Sequence, residues 1–310
     1  MAPRGSTAPQ ARYGGQALID GVMMRGPDVW AVAVRRPDGA IHTEAHDLDP
    51  LSARVRALRL PFVRGVVALG QSLSIGFRAL AISARVAGDG EEEASSAQVA
   101  LSMAIAIALF LAIFVAMPAA AFRWVADHVH SSLVVNVLEG LFRVGLFLGY
   151  LGLIGRSADV RRTFQYHGAE HQTIAAHEDG EPLEPATVIR RSTLHVRCGT
   201  NFLLLVMLVT IVVFAAFGNP GLWWRIASRV VAIPLVAGIA FELLRLGARR
   251  PDSAAVRALM APGLWLQRIT TRPPTPDQVE VAIASLGAVL RREAERGAAD
   301  GLHAPGRPLD

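Results

Sequence analysis

The sequence predicts a mainly α, polytopic helical membrane protein of about four transmembrane helices, with a small N-terminal β-containing cytoplasmic element and further cytoplasmic helices. Three observations carry this expectation. Hydrophobic residues make up 52% of the 310 residues, more than a soluble core of this size needs. Four stretches approach the roughly 20 apolar residues that a bilayer core demands. The basic residues are all arginine, since the chain has no lysine, and they crowd some connections while nearly avoiding others.

Taken in order, residues 1–12 read as a disordered start, and the absence of an apolar core in the first 15 residues argues against a cleaved signal peptide. Residues 13–57 form a cytoplasmic glycine-rich and β element. Within it, the run from Tyr13-Gly14-Gly15-Gln16 to Gly21-Val22-Met23-Met24-Arg25-Gly26-Pro27 sets glycines among apolar residues, a pattern of tight turns approaching something closely. No Gly-Lys-Ser or Gly-Lys-Thr follows, so it is not a phosphate loop. Ala31–Val34 and Ala40–Ala45, joined across Pro37-Asp38-Gly39, predict a hairpin. Residues 58–86 predict an amphipathic helix that lies in the interface or packs on the bundle, because Arg64, Gln71, Arg78 and Arg85 form one stripe. Spanning would bury two of these arginines. Gly88–Ser96, with three consecutive glutamates, is a solvated link.

The four predicted spans are 99–121, with Pro118 near its end; 133–154, carrying Glu139 and Arg143; 198–217, opening on Thr200-Asn201; and 226–246, with Arg229, Pro234 and Glu242. Arg156, Arg161, Arg162, Arg190, Arg191 and Arg197 crowd residues 155–197. By the positive-inside rule that loop is cytoplasmic, and so are both termini, in the inner (plasma) membrane. Trp223 and Trp224 then fall in an outer loop, where interfacial aromatics belong. Residues 251–297 are cytoplasmic helices, the last opened by Thr275-Pro276-Asp277-Gln278, a capping box with proline at the first helical position. Residues 298–310 read as a disordered tail. The pI near 10.4 follows from this topology and from anionic lipid, with no module for nucleic acid.

Chemistry concentrates in Tyr166-His167-Gly168-Ala169-Glu170-His171. On a helix His167 and His171 project from one face a turn apart, the spacing two ligands of a divalent metal need, and zinc is the expected ion. The pattern His-x-x-Glu-His reads as an inverted zincin signature, with Glu170 beside the metal as general base. His195 and Cys198, three residues apart where the third span begins, offer the third ligand. Glu178 is the reserve, since on a continuous helix it lies about 10 Å along the axis from His171. One cysteine excludes an internal disulfide and suits a reducing cytosol; on its own it reads as a small packing residue. Within the spans, Glu139 and Arg143 sit one turn apart and predict a salt bridge. Glu242 lacks an equally placed partner and reads equally as part of a polar pathway or as an interhelical lock.

Five motifs in order carry a resemblance: Gly14-Gly15-Gln16 through Gly26-Pro27, His167-Gly168-Ala169-Glu170-His171, Arg197-Cys198-Gly199-Thr200, Phe241-Glu242, and Leu266-Gln267 with Thr270-Thr271-Arg272. Together they resemble the YqhQ-like family of bacterial membrane proteins over about Tyr13 to Leu290. That family is described as predicted metal-dependent enzymes. The resemblance implies His167, Glu170, His171, Glu178, His195, Cys198 and Glu242 as the positions that matter. The chain departs from the pattern at Asp20, Gln172 and Val196, none of which removes a ligand. The expected function is a metal-dependent hydrolase at the membrane surface, with Arg197 or Arg190 stabilising an anionic intermediate. The alternative is an interaction or assembly factor for other membrane proteins, and after it a transporter lined by Glu139, Arg143 and Glu242.

Overall fold

A computed structural model describes residues 13–48, 60–88, 96–196, 198–215, 222–249 and 253–303. The terminal residues 1–12 and 304–310, most of the 88–96 link and Arg197 lie outside the described residues. The chain opens with an antiparallel meander of β1 (Gly14–Leu18), β2 (Gly21–Arg25), β3 (Val29–Arg35) and β4 (Ile41–Asp47). The predicted hairpin is β3–β4, with Val32 opposite Glu44 and Gly39 at positive φ in its turn. The glycine-rich run forms a second hairpin, turning at Asp20, which also adopts positive φ.

Both faces of this sheet are covered, so β2 and β3 run apolar without alternation. On one face Val22, Met24, Ala31 and Ala33 pack against Tyr166, Ala169 and Ile174 and against Val279, Ala282, Leu286 and Val289. The first set belongs to the long helix Ala158–Glu178 and the second to the final helix Pro276–His303. On the other face Leu18, Met23, Trp30, Val32 and Val34 pack against Ile75 and Ala79. These last two lie on α1 (Val63–Ala87).

Helix α1 is long and apolar enough to cross a membrane by composition. Its second half is nevertheless committed to the sheet, with Ser83 Oγ donating to Ile19 O at 2.5 Å. The arginine stripe explains both ends. Arg85 lies 3.6 Å from Glu44 of β4, and Arg64 makes a two-pronged contact with Glu242. Arg64 is therefore the partner that sequence spacing did not supply for Glu242, and the pair acts as an interhelical lock.

Two further helices are long and apolar enough to cross a membrane. The first runs from α2 (Ser96–Leu111) through a π-helical turn, Ala112–Ala116, into α3 (Met117–Ala121) and, after Phe122, α4 (Arg123–His128). The second is α5 (Ser132–Ile154). Pro118 explains the π turn, because it has no N–H to offer the Phe114 carbonyl four residues before it. Arg143 of α5 donates Nε to that carbonyl at 2.8 Å and Nη2 to Glu139 Oε1 at 2.8 Å. The predicted salt bridge is present, and it also repairs a backbone defect in the neighbouring helix.

Next come α6 (Ala158–Glu178), α7 (Pro185–Val188) and α8 (Gly199–Ala215), a shorter apolar helix in place of the third span. The predicted fourth span is divided at Ala232 into α9 (Leu222–Val231) and α10 (Ile233–Arg249). Pro234 accounts for the break, since it cannot donate to the preceding turn. Among the described residues, the first two predicted spans are thus long apolar helices, the third is the shorter α8 and the fourth the pair α9 and α10, while α1, expected to lie in the interface or pack on the bundle, is a third helix long and apolar enough to cross. Outward-facing Leu101, Ile105, Leu109, Leu141 and Leu153 give α2 and α5 surfaces that suit lipid.

The chain closes with α11 (Ala254–Thr270) and α12 (Pro276–His303). Gln278 Oε1 accepts the Thr275 N–H at 2.9 Å, as the capping box requires. The helix continues past Gly297 to His303, so residues 298–303 are helical; alanines on both sides of the glycine sustain it. Tyr13 ties the two ends of the chain together, donating its hydroxyl to Glu293 Oε2 at 3.0 Å.

Burial, followed by the Glu293 hydrogen bond and charge, pushes the Tyr13 phenol up to about 12 from 10.0. Its folded pKa is raised, so its contribution is complete below pH 10 and disappears as pH rises through about 12. Tyr13→Phe is expected to lower stability by about 1 kcal/mol near neutrality and to flatten the loss between those pH values. Urea unfolding in detergent across the alkaline range reads both effects; wild type and variant losing stability in parallel would contradict the assignment.

Candidate metal centre

Helix α6 holds His167, Glu170 and His171 within two turns, and its close docking depends on Gly168. A Cβ there would run into the Arg272 carbonyl oxygen and come within 3.3 Å of the Thr193 methyl group. Its absence lets α6 approach the segment after α11, where Arg272 N–H donates to Phe164 O at 2.9 Å.

That approach brings each imidazole to a backbone carbonyl. His167 Nδ1 lies 2.9 Å from Thr270 O, and His171 Nδ1 lies 2.5 Å from Thr193 O. A carbonyl oxygen can only accept, so both protons sit on Nδ1 and both Nε2 atoms present lone pairs. Metal-ligating histidines are held in this way by their outer partners. Burial pushes the His171 pKa below its ordinary value, which keeps the ring neutral.

Cys198, the residue before α8, completes the group. His167 Nε2 is 3.2 Å from Cys198 Sγ, and potential ligand atoms of His167, His171 and Cys198 all lie within 4.8 Å of one another. Thr200 N–H donates to Sγ at 3.3 Å at the start of α8. A thiol proton can serve one imidazole only. His171 Nε2 is buried and has no hydrogen-bond partner, an orphaned acceptor at the centre of the cluster. Two imidazole nitrogens and a thiolate suit zinc, at about 2.0 to 2.1 Å for nitrogen and 2.3 Å for sulfur. Three protein ligands leave the fourth position open, the arrangement of catalytic zinc sites.

Of the other residues expected here, His195 and Glu178 pair with each other, Nε2 to Oε2 at 3.7 Å. The His195 ring stands 5.6 Å from that of His171, beside the cluster. Glu170 is buried against β1: a Cβ on Gly15 would lie 2.9 Å from the Glu170 Cδ, so this glycine answers the predicted close approach. The Gly15 N–H bonds the carboxylate. Burial pushes the Glu170 pKa up, opposed by the nearby imidazoles of His167 and His195 and by the Gly15 hydrogen bond. Arg190 is exposed, and Arg197 lies outside the described residues. Glu139, Arg143 and Glu242 are engaged in the helix locks described above.

Gln172 donates Nε2 to Ile189 O at 3.1 Å and to Arg191 O at 2.8 Å, anchoring the loop that follows α7. Sequence reasoning assigned it no role. Thr193 and Thr270 act through backbone oxygens, which leave no side-chain signature. A glycine between two histidines of one helix was a legible sign, since mid-helix glycine usually answers a packing need.

Residues 60–292 match a family described as "Protein of unknown function (DUF1385)". The chain is 34% identical over 300 residues to the "Uncharacterized protein YqhQ" of Bacillus subtilis (strain 168), covering 91% of this chain and 93% of that protein. No solved structure matches. The chain belongs to this YqhQ-like family, whose function is unknown.

Gly168→Ala is expected to destabilise the folded chain by about 1 to 3 kcal/mol through overpacking. Gly14→Ala meets nothing within 4 Å and serves as the control. Chemical unfolding of both in detergent decides, and equal effects would contradict the close-approach argument.

Proposed function

We propose that this member of the YqhQ-like family is a membrane-associated, metal-dependent enzyme whose zinc centre is held by His167, His171 and Cys198, with hydrolysis as its reaction class. The observation that carries this reading is the buried His171 Nε2, which has no hydrogen-bond partner, in a group where potential ligand atoms of His167, His171 and Cys198 all lie within 4.8 Å of one another. An orphaned buried acceptor calls for a partner, and here two other potential metal ligands lie within reach of the same ion. When bound, zinc supplies Lewis acidity and an activated water at its open position. The chain's own contribution is to hold two neutral imidazoles by their Nδ1 protons and to keep a buried carboxylate at hand. Burial of Glu170 raises its affinity for a proton, the direction that suits a general base or acid near neutrality. The arginine-rich stretch 155–197 supports a cytosolic exposure of the centre.

A second reading, an interaction factor for other membrane proteins, draws on the apolar helix Ala100–Val125. Little of it is buried within the chain, which leaves an apolar surface for lipid or a partner helix to cover. Co-purification of a membrane complex that persists in His167→Ala/His171→Ala would favour that role.

The enzyme reading predicts about one zinc per full-length chain in detergent, lost in His171→Ala. Glu170→Gln should retain zinc while hydrolysis of chromogenic phosphate and acetate esters falls by about 10² to 10⁴-fold. Wild-type protein without zinc, or equal turnover by wild type and Glu170→Gln, would contradict it.

A further inference from the structure

The loop Ser192–Cys198 supplies both Thr193 O, which orients His171, and Cys198 Sγ, yet it has no regular secondary structure among its described residues. Its backbone is held largely by two side-chain amides. Gln267 of α11 is fully buried and grips one residue from both sides. His195 N–H donates to Gln267 Oε1 at 2.8 Å, and Gln267 Nε2 donates to His195 O at 2.8 Å. The second Nε2 proton goes to Asn201 Oδ1 at 3.1 Å. Asn201, in the first turn of α8, donates Nδ2 to Val196 O at 2.7 Å.

We propose that Gln267 is a positioning residue of the metal centre, fixing through His195 the loop that carries the Cys198 ligand and the Thr193 carbonyl. This rests on the zinc reading above and extends it to a residue that touches no ligand atom. The placement is economical: one turn further along α11, Thr270 O orients His167. One helix therefore controls the outer partner of His167 directly, and the outer partner of His171 and the thiol through a single side chain. A primary amide offers one acceptor and two donors in a single plane, which is what accepting from His195 N–H while donating to His195 O and Asn201 Oδ1 requires. Glutamate keeps the acceptor and at most one donor, whereas leucine loses all three bonds.

The test measures zinc binding to full-length protein in detergent, by competition with a chromogenic chelator, for wild type, Gln267→Leu and Gln267→Glu. Loss of an outer-shell partner should weaken zinc by about 10- to 100-fold, with Gln267→Glu less affected than Gln267→Leu. In the Co²⁺-substituted protein the thiolate-to-cobalt charge-transfer band should weaken or shift in both variants. A merely structural glutamine would lower the melting temperature of metal-free and zinc-loaded protein equally. A positioning role instead shrinks the zinc-induced rise. If wild type and both variants bind zinc with the same affinity and the same cobalt spectrum, the Gln267 proposal is overturned and the zinc reading stands. If wild type binds no metal, both fall. Should Gln267→Leu fail to fold, Gln267→Glu carries the same comparison.

Discussion

Two Nδ1–H···O=C bonds are the constraint on which the candidate centre depends. Histidines spaced a turn apart on a helix are common partners of a metal, but side-chain rotation alone could point either nitrogen anywhere. The Thr270 and Thr193 carbonyls remove that freedom, leaving His167 Nε2 at Cys198 Sγ and His171 Nε2 free of any hydrogen-bond partner within the same group. Those carbonyls are in place only because α6 docks closely over Gly168 and because the 192–198 loop is gripped from α11. The chemistry is local, yet its geometry is set by the junction of the sheet-covering helices with the apolar ones.

The same logic recurs at larger scale. The sheet is sandwiched between α1 on one face and α6 with α12 on the other, and α1 continues to α10 through Arg64 and Glu242. Within the long apolar helices, Arg143 answers both Glu139 and the carbonyl that Pro118 leaves without a donor. An intramembrane charge in this chain thus reads first as a lock, because an unpaired one would cost several kcal/mol of insertion energy. Among the buried polar atoms without a hydrogen-bond partner, His171 Nε2 belongs to a group of three potential metal ligands, which is why it reads as a site.

Much of this is legible in the sequence, for definable reasons. The β3–β4 hairpin shows in its Asp-Gly turn, the α12 start in its capping box, the Glu139–Arg143 bridge in its spacing, and the histidine pair in the helical period. The β1–β2 hairpin is concealed because a sheet covered on both faces shows no alternation. The division at Ala232 is masked by uniform hydropathy, although Pro234 marks it. Arg64 as partner of Glu242 and the His195–Glu178 pairing are contacts between distant segments that no local pattern encodes. Gln267 stands out as a motif residue, but its grip on a backbone two elements away emerges only in three dimensions.

The central claim is the ligand set, and zinc K-edge X-ray absorption on the full-length protein addresses it most directly. The account predicts a first shell with one sulfur at about 2.3 Å and two imidazole nitrogens at about 2.0 to 2.1 Å, the sulfur disappearing in Cys198→Ser. A shell of nitrogen and oxygen alone in the wild-type protein would contradict it.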